Sequence, residues 1–283
     1  DSLPSRGLGD VYKRQPPVET NLNELIEGKH PAQQTLIKEE LIAHMLCAGI
    51  LKNELEGRTG PSMKENSINE NEFVNSLPFQ LTNSQNKVWS EIRQDLIDEA
   101  PMRRLLQGDV GSGKTLVGAL ATLHATSNGW QTALLCPTEI LADQHFTSFS
   151  DWFSILGIQV RLLTGSTKTK DRKAIIEDLA KGEIDILIGT HAIFQAGIEF
   201  KNLGLTVIDE QHRFGVHQRF SMLDKGGKIN QSPHQLIMTA TPIPRTLAMT
   251  VYGSLETSII DELPPGRNPV QTSSRPDSLR EKV

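Results

Sequence analysis

A chain of 283 residues, 37% hydrophobic and 22% charged, has room for one or two domains with a soluble core. Its formal net charge of -5 excludes a uniformly basic surface, although the field at any one site follows local arrangement rather than the sum. No apolar run is long enough to span a membrane, no charged leader with an apolar stretch behind it opens the chain, and Cys47 and Cys136 lack metal-ligand spacing and are expected to be reduced thiols.

Residues Asp1 to Gln15 mix Gly, Arg, Ser and Pro without periodicity. They look like a non-native leader and carry no expectation of fold. From Pro31 to Leu55, the residues Leu36, Leu41, Ile42, Met45 and Leu46 recur at helical spacing around Lys38, Glu39 and Glu40, which predicts a helix. Asn53 to Glu72 is polar, contains Gly and Pro, and reads as linker or loop. A new unit begins near Leu77. From there short apolar runs alternate with longer amphipathic stretches. The runs Met102–Gln107, Thr132–Cys136, Val160–Leu163, Ile184–Ile188, Leu205–Ile208 and Gln235–Met238 read as strands buried on both faces of a parallel sheet. The stretches Lys114–Ser127, Glu139–Ile155 and Asp171–Lys181 read as the helices between them. Such an order predicts right-handed crossovers and an open, mostly parallel α/β sheet, with ligands at the carboxyl ends of its strands.

The run that ends at Gln107 leads into Gly108-Asp109-Val110-Gly111-Ser112-Gly113-Lys114-Thr115, a full G-x-x-x-x-G-K-[ST] match in the strand–loop–helix context that the motif requires. Its glycines let the backbone wrap a polyphosphate with amide N–H groups turned inward. The helix that follows adds its positive N-terminal end. Lys114 is expected to reach the β- and γ-phosphates, and the Thr115 hydroxyl to ligate Mg2+. Further on, the run Leu205–Ile208 ends in Asp209-Glu210-Gln211-His212. Asp209 is expected to hold Mg2+, in part through water. Glu210 is expected to polarise the water that attacks the γ-phosphate. Two adjacent carboxylates are tolerated where a cation neutralises them. His212, next to Glu210, reads as a coupling residue that senses the γ-phosphate, with a surface histidine as the other reading.

Together these blocks resemble the superfamily 2 helicases, and their spelling is similar to that of the RecG helicases. The resemblance runs from about Pro31 to Thr272. It rests on Asp209-Glu210-Gln211-His212 followed by Arg213-Phe214-Gly215-Val216, on Thr239-Ala240-Thr241-Pro242-Ile243-Pro244-Arg245-Thr246, and on the connector Glu262-Leu263-Pro264-Pro265-Gly266-Arg267. It implies a RecA-like P-loop NTPase domain, preceded by a helical linker segment, that uses ATP and Mg2+ in a bacterial, nucleoid-associated, cytoplasmic protein. Leu77-Pro78-Phe79, Leu81-Thr82 and Gln85 resemble the adenine-reading segment of that family. The similarity implies that Gln85 hydrogen-bonds the adenine edge and that Phe79 packs near the base, core packing being the other reading of Phe79. The transcription-repair coupling translocases share two of the blocks, but typically spell the second motif with Glu where this chain has Gln211, and lack the Pro-Pro-Gly-Arg connector. RNA helicases of the same superfamily differ at the second motif and lack the Pro-Ile-Pro-Arg extension. A non-enzymatic ATP switch and a metabolic P-loop kinase are the readings from other classes.

The resemblance further implies that Pro137 and Thr138, Thr164 and Gly165, and Thr190 and His191 touch a nucleic-acid backbone. Small hydroxyl-bearing loops of this kind bind phosphate oxygens without reading sequence, and helix capping is the alternative for each. Thr239 and Thr241 are implied to relay the nucleotide state, and Arg245 to supply positive charge beside phosphate or carboxylate. The expected organisation is a leader over 1–15, a helical segment over 16–76 linking a wedge domain to the motor, an ATP-binding lobe over 77–268, and a tail over 269–283. About sixteen residues follow Arg267, too few for another domain. The second motor lobe and the wedge are therefore expected to be missing, and the implied partner is double-stranded or branched DNA, with no membrane.

Overall fold

The computed structural model describes residues 22–210, 231–241 and 255–264, apart from residues 56, 66 and 196. The expectations placed on the leader, on Gln211 to Val216 with His212 among them, on Pro242 to Thr246 with Arg245 among them, and on the tail lie outside the described residues. Two compact units divide the described residues, one over 22–57 with Leu255 and the other over 58–241 with 256–264.

In the first unit a short helix α1, Leu22–Ile26, precedes α2, Pro31–Leu55. Gln33 and Gln34 fasten the turn between them by donating to the Leu25 and Gly28 carbonyls at 3.0 and 2.7 Å. The range of α2 is the one its apolar spacing predicts. Along it Ile42, Met45 and Leu46 are exposed.

The second unit opens with α3, Ser67–Ser76, and α4, Asn83–Ile97, and continues as β1, Arg103–Gly108; α5, Lys114–Ser127; β2, Gln131–Leu135; α6, Glu139–Phe153; and β3, Val160–Leu163. Then come α7, Thr169–Lys181; β4, Ile186–Gly189; β5, Leu203–Asp209; β6, His234–Thr239; and β7, Glu256–Ile260. The seven strands form one sheet in the order β3-β4-β2-β5-β6-β1-β7. Every pairing in it is parallel. The open α/β architecture expected from the sequence is thus present. β2, β4 and β6 are buried at every position, as apolar runs without polar alternation require. β7 was not read from the sequence. It is an edge strand that opens with Glu256-Thr257-Ser258 and leaves Glu256 and Ile259 exposed, so no apolar run marks it.

Helix α4 follows from local chemistry. Thr82 and Gln85 form a reciprocal capping box, and Val88, Trp89, Ile92 and Leu96 bury one face, each contributing about 1.5–3 kcal/mol if wholly removed from water. Arg104 on β1 ties α4 to the sheet. Its guanidinium donates to Asp95 at 2.6 Å and Glu91 at 3.4 Å on α4, and to Ser258 on β7 at 2.8 Å.

The unit begins at Arg58, ahead of the Leu77 start read from the sequence, because polar spacing hid two core anchors, Met63 and Phe73. The last part of the stretch read as linker or loop, residues 67–72, belongs to α3, and Glu70 reaches into the protein to meet His124 of α5 at 2.6 Å. Buried His234 secures the preceding strap: its Nδ1 accepts the Met102 N–H and its Nε2 donates to the Pro61 carbonyl, both at 2.9 Å.

An imidazole that accepts at one nitrogen and donates at the other is neutral. Burial lowers the pKa of His234 to about 4, the hydrogen bond to Pro61 and the charge of Asp95 acting against that fall. The unfolded chain, with a histidine near the ordinary value of 6.5, takes up the proton first. The contribution is therefore full above pH 6.5 and is lost as the pH falls toward 4, by up to about 3 kcal/mol. Urea unfolding of wild type should weaken across this window, and His234→Gln, which does not titrate there, should flatten that part of the profile.

Candidate active site

The phosphate-loop match, Gly108–Thr115, joins β1 to α5. Gly113 is the N-cap of α5 at φ 91 and provides no side-chain cap, leaving the positive end of the helix open to an anion. Gln85 sits against it. Its Nε2 donates to the Ser112 carbonyl at 2.7 Å, and its Oε1 accepts the Thr82 N–H at 3.0 Å. A Cβ at Gly113 would lie 2.2 Å from Gln85 Nε2. Ser112 Oγ is buried and without a hydrogen-bond partner, which suits a loop built for an acceptor from outside. Lys114 Nζ donates to the carbonyls of Gly108 at 2.7 Å and Asp109 at 2.9 Å. Desolvation lowers its pKa, and the charges of Glu210, Asp209 and Asp109 oppose that shift, so the ammonium lies in the field of both acidic residues that end β5.

Asp209 ends β5 and pairs with Met238 of β6. Its Oδ2 lies 2.9 Å from His145 Nε2 on α6. The next residue, Glu210, has φ 51, a left-handed conformation uncommon outside glycine. This turn lets its N–H donate to the Met238 carbonyl at 2.9 Å and aims its carboxylate at the end of β6. There Oε1 accepts the Ala240 N–H at 2.9 Å and Oε2 accepts the Thr239 hydroxyl at 3.3 Å. Thr241 N–H in turn donates to Thr239 Oγ1 at 3.1 Å. Burial and the charge of Asp209 raise the pKa of the Cys136 thiol at the end of β2, which keeps it protonated.

The remaining residues singled out in the sequence follow other strand ends. Pro137 and Thr138 follow β2, Thr164 and Gly165 follow β3, and Thr190 and His191 follow β4. Since β3, β4 and β2 are consecutive across the sheet, these three loops occupy one half of its carboxyl edge, and the ends of β5, β6 and β1 occupy the adjoining half. Thr138 caps α6 through the Leu141 N–H at 3.3 Å. Thr164 Oγ1 meets Ser166 Oγ at 2.8 Å, and Glu139 accepts from both the Ser166 hydroxyl and its N–H. The Ser166 hydroxyl is the main cause holding the Glu139 carboxyl below its ordinary pKa. A Cβ at Gly189 would lie 1.9 Å from the Leu163 carbonyl, so only glycine lets the ends of β3 and β4 approach this closely. Thr190 is buried, His191 exposed, and the Thr190 hydroxyl has no partner.

Phe79 is about half exposed, at 49%, and lines a cleft of about 530 Å³ with Leu77, Leu81 and Asn86. Gln85, implied by resemblance to read adenine, is buried, its amide oxygen accepting the Thr82 N–H and its amide nitrogen donating to the Ser112 carbonyl. The residue that sequence reasoning missed is His145. A lone histidine on the buried face of an amphipathic helix carries no spacing that distinguishes it from core.

An all-parallel sheet with a phosphate loop at one strand end and an acidic pair two strands away is the architecture of a RecA-like motor lobe. Residues 82–250 match the DEAD/DEAH box helicase model, and the chain belongs to that family. It is 54% identical over 258 residues to the ATP-dependent DNA helicase RecG of Haemophilus influenzae, covering 91% of this chain and 37% of that protein. It is 51% identical over 269 residues to the RecG of Escherichia coli K12, covering 95% and 39% respectively. A structure of RecG bound to a three-way DNA junction superposes with a TM-score of 0.75 at 45% identity, over 89% of this chain and 33% of that one. The chain thus spans about two fifths of the length of these curated relatives.

Gly113→Ala combines a left-handed backbone with a clash and should cost about 2 kcal/mol in urea unfolding. Adding Gln85→Ala removes the clashing amide but also the bonds to Thr82 and Ser112, so the double variant should lose less stability than the sum of the two single variants' losses.

Proposed function

We propose that the chain is the ATP-binding first lobe of an ATP-dependent translocase and helicase for double-stranded DNA, acting on branched substrates such as replication forks and Holliday junctions in repair and recombination. The observation that carries this reading is the Lys114 ammonium on the phosphate loop, set in the field of Glu210 and Asp209. The RecG relatives support the branched-DNA substrate over the coupling-translocase and RNA-helicase readings.

In this reading the backbone of Gly108 to Gly113 cradles the phosphates. Lys114 leaves the loop's own carbonyls for the β- and γ-phosphate oxygens. Thr115 and Asp209 offer a hydroxyl and a carboxylate, hard oxygen donors of the kind that Mg2+ takes. Mg2+, when bound, neutralises charge on the phosphates and the adjacent carboxylates. Glu210 orients the attacking water and accepts its proton. Because its carboxylate is held by Thr239 and Ala240, a shift in the end of β6 re-aims it; this is the relay expected of Thr239 and Thr241, to which His212 and Arg245 belong. Phe79 covers the base, while Gln85 acts by fixing Ser112. The loops at Pro137–Thr138, Thr164–Gly165 and Thr190–His191 hold the DNA backbone through hydroxyls and amides. The second motor lobe and the wedge domain of the parent protein complete the machine in the bacterial cytoplasm, on the nucleoid. Among the described residues no helix is long and apolar enough to cross a membrane.

A partner lobe's arginine accelerates such sites by roughly 10³-fold or more, so the isolated chain should bind Mg-ATP and turn it over slowly, with no stimulation by forked DNA. Lys114→Ala should lose the binding, and Glu210→Gln should keep it while losing the residual turnover. Robust fork-stimulated turnover that both substitutions abolish would keep the site and overturn the need for a second lobe. Turnover that survives both would overturn the site itself.

A further inference from the structure

His145 stands on the inward face of α6, its Nε2 2.9 Å from Asp209 Oδ2. The two side chains are 9% and 14% exposed, and the ring lies edge-on to Phe149 with centroids 6.2 Å apart at 85°. A ring packed on one side and hydrogen-bonded on the other has a fixed direction. An aspartate at the end of a strand has two free rotors of its own, and the bond to His145 removes that freedom from the carboxylate. α6 rises from the end of β2, in the half of the sheet edge that carries the hydroxyl loops, and reaches across to the end of β5. Its first residue, Glu139, grips Ser166 at 2.9 Å, and the six-residue interval to His145 spans about 9 Å of rigid helix.

Resting on the reading of Asp209 as a magnesium ligand, we propose that His145 is a positioning residue that orients the Asp209 carboxylate for the metal and fastens it to α6. Hydrogen-bond partners of metal-ligating carboxylates commonly set affinity in this way.

Mn2+ with ADP serves as the probe, followed by electron paramagnetic resonance on the intact chain, with ADP binding in EDTA measured alongside. His145→Phe keeps the ring's bulk and loses the donor. It should weaken Mn2+ binding in the ADP complex about tenfold, with metal-free ADP binding changed by less than about twofold. His145→Gln, whose amide N–H extends about as far as Nε2, should restore most of the affinity. Unchanged Mn2+ affinity in His145→Phe overturns the proposal. So does an equal loss in His145→Gln, or a parallel loss of ADP binding in EDTA, since either makes the ring a packing element only. If wild type takes up no ADP under either condition, the nucleotide-site reading fails, and this inference with it.

Discussion

The constraint on which the molecule depends is burial of a parallel sheet on both faces. In β2, β4 and β6 no position is left for a solvated side chain. Parallel strands all end on the same side, so polar chemistry collects along one carboxyl edge. Every strand there passes into a segment singled out on chemical grounds, except β7, which passes through Asp261 into the connector that begins at Glu262. Strand order then divides the edge. β1, β6 and β5 bring the phosphate loop, the Thr239 segment and the acidic pair together, while β2, β4 and β3 gather the three hydroxyl-bearing loops.

Helices around the sheet hold these ends by single, specific contacts rather than by bulk packing alone. α4 touches the phosphate loop through Gln85 and the connector through Ser84, whose N–H donates to Glu262 at 3.0 Å. α5 is tied to α3 by His124 and Glu70, a buried polar pair whose loss on one side would leave the other uncompensated. α6 reaches Asp209 through His145. The bonds of Gln85, Ser84 and His145 each join a helix to a different element of the edge, while that of His124 and Glu70 joins two helices to one another.

The sequence made much of this legible, for identifiable reasons. The phosphate loop and the Asp-Glu strand end were visible because glycine, lysine and paired carboxylates are required at fixed spacing. The interior strands were visible because burial on both faces leaves unbroken apolar runs. α2 and α5 appeared at their observed bounds from periodicity. What stayed hidden depends on approach in three dimensions. Met63 is a core anchor inside a polar stretch and Phe73 stands at its end, so Asn53 to Glu72 reads as linker or loop. β7, half exposed at the edge, lacks the run that marks its neighbours. Gln85 was assigned to a ligand by resemblance, and only the fold reveals that its amide is held by Thr82 and Ser112. The left-handed backbone at Glu210 has no signature in a residue type that ordinarily avoids it.

The place of β1 in the sheet carries a consequence for biosynthesis. Among the described residues β1 is the first strand of the sheet in chain order, and its partners there, β6 and β7, are the last two. A nascent chain therefore carries the phosphate-loop strand with both backbone edges open until the ribosome has passed Ile260. Long-range parallel pairing of this kind closes slowly and leaves unpaired strands prone to association with other chains. Cutting the polypeptide just ahead of β7 would leave the strand that carries the phosphate loop on an exposed edge, so the boundary that matters for a soluble lobe lies after Ile260 rather than after the Thr239 segment.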